Sequence, residues 1–122
     1  MSSEPFVHKS TEVGKRGELI AGKFLREKGF DIVEINYRYK RTEIDLIGIH
    51  KDLLVFIEVK YRTNLMYGQP ETFVSKAKEK RIKIGAENYI LEINWLNDIR
   101  FDIISIVDNN GKLLVEHFID CF

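Results

Sequence analysis

EIDLIGIHKDLLVFIEVK, residues 43–60, sets two apolar, β-branched-rich runs on either side of a short polar break at His50-Lys51-Asp52. That pattern predicts a hairpin. Leu53 to Val59 is apolar enough to form a central strand covered on both faces. Into these runs the sequence places Asp45, Glu58 and Lys60. A charge inside an apolar strand is costly unless it is paired, hydrogen-bonded or holding a metal. A turn centred between Lys51 and Asp52 puts His50 opposite Leu53, and that register carries Asp45 opposite Glu58 and Glu43 opposite Lys60. Directly opposed residues share a face, as do residues two apart on one strand. Two carboxylates and an ammonium are therefore expected on one patch.

Adjacent carboxylates repel, and each raises the proton affinity of the other. A divalent cation relieves that repulsion, and oxygen ligands suit Mg²⁺ or Mn²⁺. Such an ion activates water for attack and neutralises charge on a phosphoryl group, while Lys60 can orient the water or stabilise the transition state. A structural ion pair accounts for the same residues, and an acid-x-Lys triplet is common by chance. The apolar setting and the second acid opposite are what raise its specificity.

The surroundings bound the answer. A chain of 122 residues makes one domain with room for a real core, and 44% hydrophobic with 31% charged residues describes a globular protein. The zero net charge hides an asymmetry. Lys15 to Arg41 holds eight basic residues against four acids, Lys76 to Lys83 five against one, and Glu87 to Phe122 two against seven. The single cysteine, Cys121, excludes an internal disulfide and suits a reducing compartment. No apolar run is long enough to span a membrane and the N-terminus lacks a signal-peptide core, so a cytoplasmic protein without a membrane partner is expected.

In chain order, residues 1–9 read as a loose arm. Ser10 or Thr11 can cap a helix running to about Lys28, with Gly29 as its stop. Val13, Gly17, Ile20 and Phe24 form one face of it, and Gly14 and Gly17 suggest a close backbone approach. Glu18 borders that face and reads equally as an ordinary flanking acid. Phe30 to Tyr39 reads as a strand. Arg38, Lys40 and Arg41, interleaved with Tyr37 and Tyr39, suit a nucleic-acid surface or a solvated loop alike. A loop from Tyr61 to Glu71 follows the second hairpin strand and brings Arg62 within reach of a phosphate. Ser75 caps a second helix to about Leu91, with Lys76, Lys78, Lys80 and Lys83 mostly outward, a face serving either solubility or binding. Arg100 to Val107 and Leu113 to Ile119 are strands joined by the turn Asp108-Asn109-Asn110-Gly111. The three histidines lack zinc spacing, no serine sits in a nucleophile-elbow setting, and no Gly-rich phosphate loop occurs. Trp95 and Cys121 read as packing residues. The order α, three antiparallel strands, α, two strands predicts a mixed five-stranded sheet flanked by helices, with a right-handed crossover through the second helix. In that arrangement the Asp45, Glu58 and Lys60 patch faces the first helix and Glu18.

These residues resemble the PD-(D/E)XK nuclease superfamily, with Asp45 and Glu58-Val59-Lys60 as its motif. More closely, the chain is similar to the uncharacterised YraN-like family of predicted endonucleases. The resemblance is carried by Gly14-Lys-Arg-Gly17-Glu18, Asn36-Tyr37-Arg38, Glu43-Ile-Asp45-Leu-Ile, Phe56-Ile-Glu58-Val59-Lys60-Tyr-Arg62, Tyr67-Gly68 and Arg100-Phe101-Asp102. Thr42 departs from it, standing where that family usually has glycine. The resemblance implies a restriction-endonuclease-like α/β fold. It implies Asp45, Glu58 and the Val59 carbonyl as ligands to Mg²⁺ or Mn²⁺, Lys60 acting on water, and Glu18 as an added helix acid. The expected function is cleavage of nucleic acid, DNA or branched DNA before RNA, with Arg38, Lys40, Arg41, Arg62, Lys76 and Lys80 as phosphate contacts. A homodimer would fit a branched substrate. A non-catalytic nucleic-acid-binding module on the same fold is the alternative, and fold alone does not choose.

Overall fold

Three two-residue turns set the sheet. The computed structural model describes residues 12–63 and 74–122. Within them lie α1 (Glu12–Glu27), β1 (Asp31–Tyr39), β2 (Thr42–His50), β3 (Leu53–Thr63), α2 (Lys76–Ile93), β4 (Ile99–Asn109) and β5 (Lys112–Phe118). The strands lie side by side in chain order, antiparallel except for the parallel β3–β4 pair that α2 connects. Each hairpin turn has a residue at positive φ: Lys40, Lys51, and both Asn110 and Gly111. The last is the Asn-Gly pairing whose backbone matches the natural twist of the strands.

The expected mixed five-stranded α/β sheet is therefore present. The boundaries move in one place that matters. β3 continues to Thr63, so Tyr61 and Arg62 belong to a strand rather than to a loop, each paired with β4 opposite Ile106 and Val107. Parallel pairing to β4 satisfies their backbone groups, which the polar sequence of this segment did not reveal. The arm at residues 1–9, the cap at Ser10 or Thr11, and the loop with Tyr67-Gly68 lie outside the described residues.

The two helices cover opposite faces. Ala21 and Leu25 of α1 pack on Leu46, Val55, Ile57, Val59, Ile104 and Ile106. On the other side Ile82, Ala86 and Tyr89 of α2 pack on Ile44, Ile47, Leu54, Phe56 and Phe101. Strand β3 alternates strictly between these layers and is buried from Leu54 to Val59, which explains why this run is apolar apart from Glu58. Gly29, at φ 97°, ends the turn after α1 as expected, and Ser75 caps α2 by accepting from the Lys78 amide at 3.2 Å.

Close approach is real on both faces. A Cβ on Gly17 would lie 3.1 Å from Tyr61 Cβ, so α1 sits directly against β3. On the other face a Cβ on Gly85 would meet Thr42 Cγ2 at 2.6 Å. Thr42 is buried and β-branched, so its methyl has little freedom to move. Gly85→Ala is accordingly expected to destabilise the fold by about 1–3 kcal/mol, overpacking outweighing the gain of about 1 kcal/mol in helix propensity. Urea unfolding of the variant measures the sign directly.

Candidate metal centre

The predicted register holds where β2 and β3 pair. Leu46, Ile47, Gly48, Ile49 and His50 face Ile57, Phe56, Val55, Leu54 and Leu53 in turn. Beyond Leu46 the ladder stops, and the Asp45 side chain takes over: its Oδ2 accepts the Val59 amide at 2.7 Å. At the same point β2 changes face. Thr42 and Ile44 pack toward α2, Asp45 and Leu46 both turn toward α1, and Ile47 returns to the α2 layer. A slip of one residue turns every side chain beyond it to the other side of the sheet.

This corrects the expected patch. Asp45 meets Glu18 and Glu43 on the α1 side, one carboxylate oxygen of each lying within 4.8 Å of the others. Glu58 stays on the α2 side, as the alternation of β3 requires, and its Oε2 accepts the ammonium of Lys78. Lys60, two residues further, leaves the strand on the side of Glu58 and pairs in the ladder with Ser105. The helix acid Glu18 is thus brought to Asp45, whereas Glu58 is not part of that carboxylate cluster.

Strand β1 helps to build the cluster. Asn36 has φ 55°, in the left-handed region that asparagine tolerates better than most residues. It is absent from the β1–β2 ladder at the point facing Asp45, between the pairs Ile35–Leu46 and Tyr37–Ile44. Its Nδ2 donates to Glu18 Oε2 at 2.6 Å. Glu18, Asp45 and the Glu43 side chain are 6%, 1% and 8% exposed, so three carboxylates share a nearly dry site. Two unit charges 4.8 Å apart repel by about 3.5 kcal/mol at an effective dielectric of 20. Among the described residues Glu43 Oε1 is buried without a hydrogen bond, and it is ion-paired at 3.5 Å with Nη2 of Arg38, whose side chain is 60% exposed. Hard oxygen ligands with an orphaned acceptor among them fit a divalent cation such as Mg²⁺ or Mn²⁺.

Sequence reasoning singled out neither Asn36 nor Glu43 as site residues. The signal for Glu43 was present: it stands two residues before Asp45 and so shares its face. Of the expected phosphate contacts, Arg38, Lys40 and Arg41 are exposed at the β1–β2 turn end, and Arg62 is half-buried near the end of β3. Lys76 and Lys80 are exposed along a groove on α2 that Glu79 and Phe101 also line.

A second polar network sits under α1. Asp102, fully buried, accepts from Arg100 through both carboxylate oxygens at 2.8 Å, from His117 Nε2 at 2.8 Å and from the Asp120 amide at 3.0 Å. Lys28 Nζ donates to His117 Nδ1 at 2.8 Å, which leaves Nε2 as the protonated nitrogen facing Asp102. Burial by itself would raise the Asp102 pKa, but the hydrogen bonds from His117, Arg100 and the Asp120 amide hold it below the ordinary carboxylate value. Burial also raises the Cys121 thiol, which matches a packing role.

The model of an uncharacterised protein family, UPF0102, matches residues 17–106, a span that includes Glu18, Asn36, Glu43, Asp45, Glu58 and Lys60. The chain belongs to the UPF0102 family. UPF0102 relatives cover nearly its whole length. One from Cytophaga hutchinsonii is 44% identical over 107 residues, 88% of this chain and 92% of the relative. One from Dictyoglomus thermophilum is 45% identical over 114 residues, 91% and 97% of the two chains. A third, from Caldanaerobacter subterraneus subsp. tengcongensis, is 41% identical over 120 residues, 95% and 98%. Among the described residues, no helix is long and apolar enough to cross a membrane.

Proposed function

We propose that this UPF0102 protein hydrolyses nucleic-acid phosphodiesters, DNA or branched DNA before RNA, with Mg²⁺ or Mn²⁺ as cofactor. The observation that carries this reading is the meeting of Glu18 and Asp45 as buried carboxylates, drawn from a helix and a strand far apart in sequence. Buried like charges persist where a ligand or partner compensates them, and perturbed carboxylates gather at functional sites. Asp45 and Glu18 would hold the cation with the Val59 carbonyl, and Glu58 would join them on releasing Lys78. Bound there, it would neutralise phosphate charge and favour attack by water.

The chain supplies the rest. Asp45 is fixed by the Val59 amide and Glu18 by Asn36, so neither acid needs to reorganise before substrate arrives. Lys60 would orient the attacking water or stabilise the charge that develops on the phosphorus oxygens. Arg38, Lys40, Arg41, Arg62, Lys76 and Lys80 would hold flanking phosphates, a contribution that weakens with salt. Labelled linear, single-stranded, flapped and four-way DNAs and RNA, incubated with Mg²⁺ or Mn²⁺, test the reading. Cleavage that disappears in a Glu58→Ala/Lys60→Ala double variant is the expected result. No product from any substrate would refute it.

The alternative is a nucleic-acid-binding module without chemistry. It is favoured by one observation, the pairing of Glu58 with Lys78 in place of a position beside Asp45. Salt-dependent binding that survives loss of Asp45 and Glu58 and yields no product would identify it.

A further inference from the structure

The sheet ends in two edges that the chain treats in opposite ways. An open edge strand offers unpaired N–H and C=O groups to any other strand, and natural proteins blunt such edges with bulges, twists and charges. Strand β1 is blunted: its register shifts between Ile32 and Glu34, and Asn36, at φ 55°, interrupts its ladder. Strand β5 is not. It pairs with β4 in unbroken register from Lys112–Asn109 to Phe118–Ile103 and has no residue at positive φ. Among the described residues no strand lies on its outer side. It also carries exposed leucines on both faces. Leu113, 40% exposed, shares the α1 face with Val115, and Leu114, 57% exposed, lies on the α2 face. A regular edge with large apolar side chains in water is a template for another strand.

We infer that β5 pairs with β5 of a second copy of this chain, antiparallel about a two-fold axis at Leu114, joining two sheets into one. Backbone phase and charge both select that register. Asn109 and Lys112 flank a two-residue turn and are hydrogen-bonded to each other, so Lys112, Leu114 and Glu116 direct their backbone groups to β4. Leu113, Val115 and His117 direct theirs outward. A two-fold at Leu114 sets Leu113 opposite Val115 of the second copy, so outward groups meet outward groups on both sides of the axis. The same axis places Lys112 opposite Glu116 of the second copy, and Glu116 opposite its Lys112, with Leu114 against Leu114 between them. Both charged residues are exposed and free to meet. Other registers fail on chemistry. An axis at Val115 sets Leu114 against Glu116, one at Leu113 sets Lys112 against Leu114, and one at Glu116 opposes two like charges. Because the pairing is isologous, every favourable contact occurs twice. A strand pair with a leucine seam is smaller than a standard interface, so association in the micromolar range is expected. The inference is independent of any metal or substrate.

Sedimentation velocity of the full chain from micromolar to millimolar concentration tests this, and a monomer–dimer equilibrium is expected. Lys112→Glu should weaken the dimer by about tenfold or more, since it sets like charges opposite each other on both sides of the axis. Lys112→Glu/Glu116→Lys should restore it to within about threefold of the parent, because the swap recreates both pairs. Leu113→Pro should leave a monomer throughout, as its ring removes an outward N–H and no bond to β4. Circular dichroism checks that this variant is folded; where it is not, the charge swap, confined to exposed side chains, decides. Leu114→Cys in a Cys121→Ser background should form an intermolecular disulfide on mild oxidation, since residues opposed at the axis lie in bonding range. A parent that stays monomeric leaves the edge to a different chain or to solvent and overturns the inference. A dimer unchanged by Lys112→Glu, not restored by the double variant, persisting in folded Leu113→Pro, or failing to cross-link through Leu114→Cys overturns it equally.

Discussion

Asp45→Asn is expected to abolish metal-dependent cleavage, by on the order of 10³-fold, while the fold is kept. The two are separable because Asp45 has two jobs. Its Oδ2 accepts the Val59 amide at 2.7 Å where the β2–β3 ladder has ended. An asparagine oxygen takes the same bond, so the backbone of both strands keeps its place. The charge is what the substitution removes. It is one of three within 4.8 Å of one another in a buried site, each pair repelling by about 3.5 kcal/mol at an effective dielectric of 20. With substrate and Mn²⁺ the charge is needed to hold the ion. Steady-state cleavage of the best substrate, beside melting curves in chelator, separates the two. Retained cleavage would remove Asp45 from the chemistry, and a large fall in melting temperature would mean that lost cleavage reflects a disturbed fold.

Asp102→Asn should lower stability by about 3–5 kcal/mol, a large share of the 5–15 kcal/mol typical of a folded domain. The carboxylate accepts two bonds from Arg100, one from His117 and one from the Asp120 amide, and it is fully buried. An amide can accept at one end only, so at least one of Arg100, His117 and the C-terminal backbone loses its partner under α1. The effect also has a pH signature. The Asp102 pKa is held low in the folded protein, below the unfolded carboxylate value of about 3.9. Its contribution is therefore complete above that unfolded value and is lost as pH falls through the lower folded one. Denaturant titrations from neutral to acidic pH should show the parent losing stability in this acid range and the variant losing less, the two curves converging at the acid end.

Much of this was legible in one dimension. The polar break at Lys51-Asp52 between apolar runs gave the hairpin and its register, because a two-residue turn leaves the strands no other way to pair. The run Leu54 to Val59, apolar apart from Glu58, announced a strand covered on both faces, and the helices do cover it. Ser75, Gly29 and Asn110-Gly111 act where their local chemistry predicts. The extension of β3 through Tyr61 and Arg62 was less visible, since it depends on parallel pairing with β4, some forty residues away in sequence.

What the sequence by itself determined is the order and type of the elements, the register at the hairpin turn, and the presence of acids inside apolar strands. These follow from neighbours along the chain: periodicity, turn residues and the cost of burying charge. Which acids meet was decided only in three dimensions. Asn36 in the left-handed region, the end of the ladder after Leu46, and the one-residue slip beside it turn Asp45 toward α1. There it joins Glu18 and Glu43, while Glu58 remains across the sheet with Lys78. A slip of one residue needs no unusual side chain in either strand. It is set by the balance between strand pairing and the packing of two helices on opposite faces, and that balance has no signature in a window of neighbouring residues.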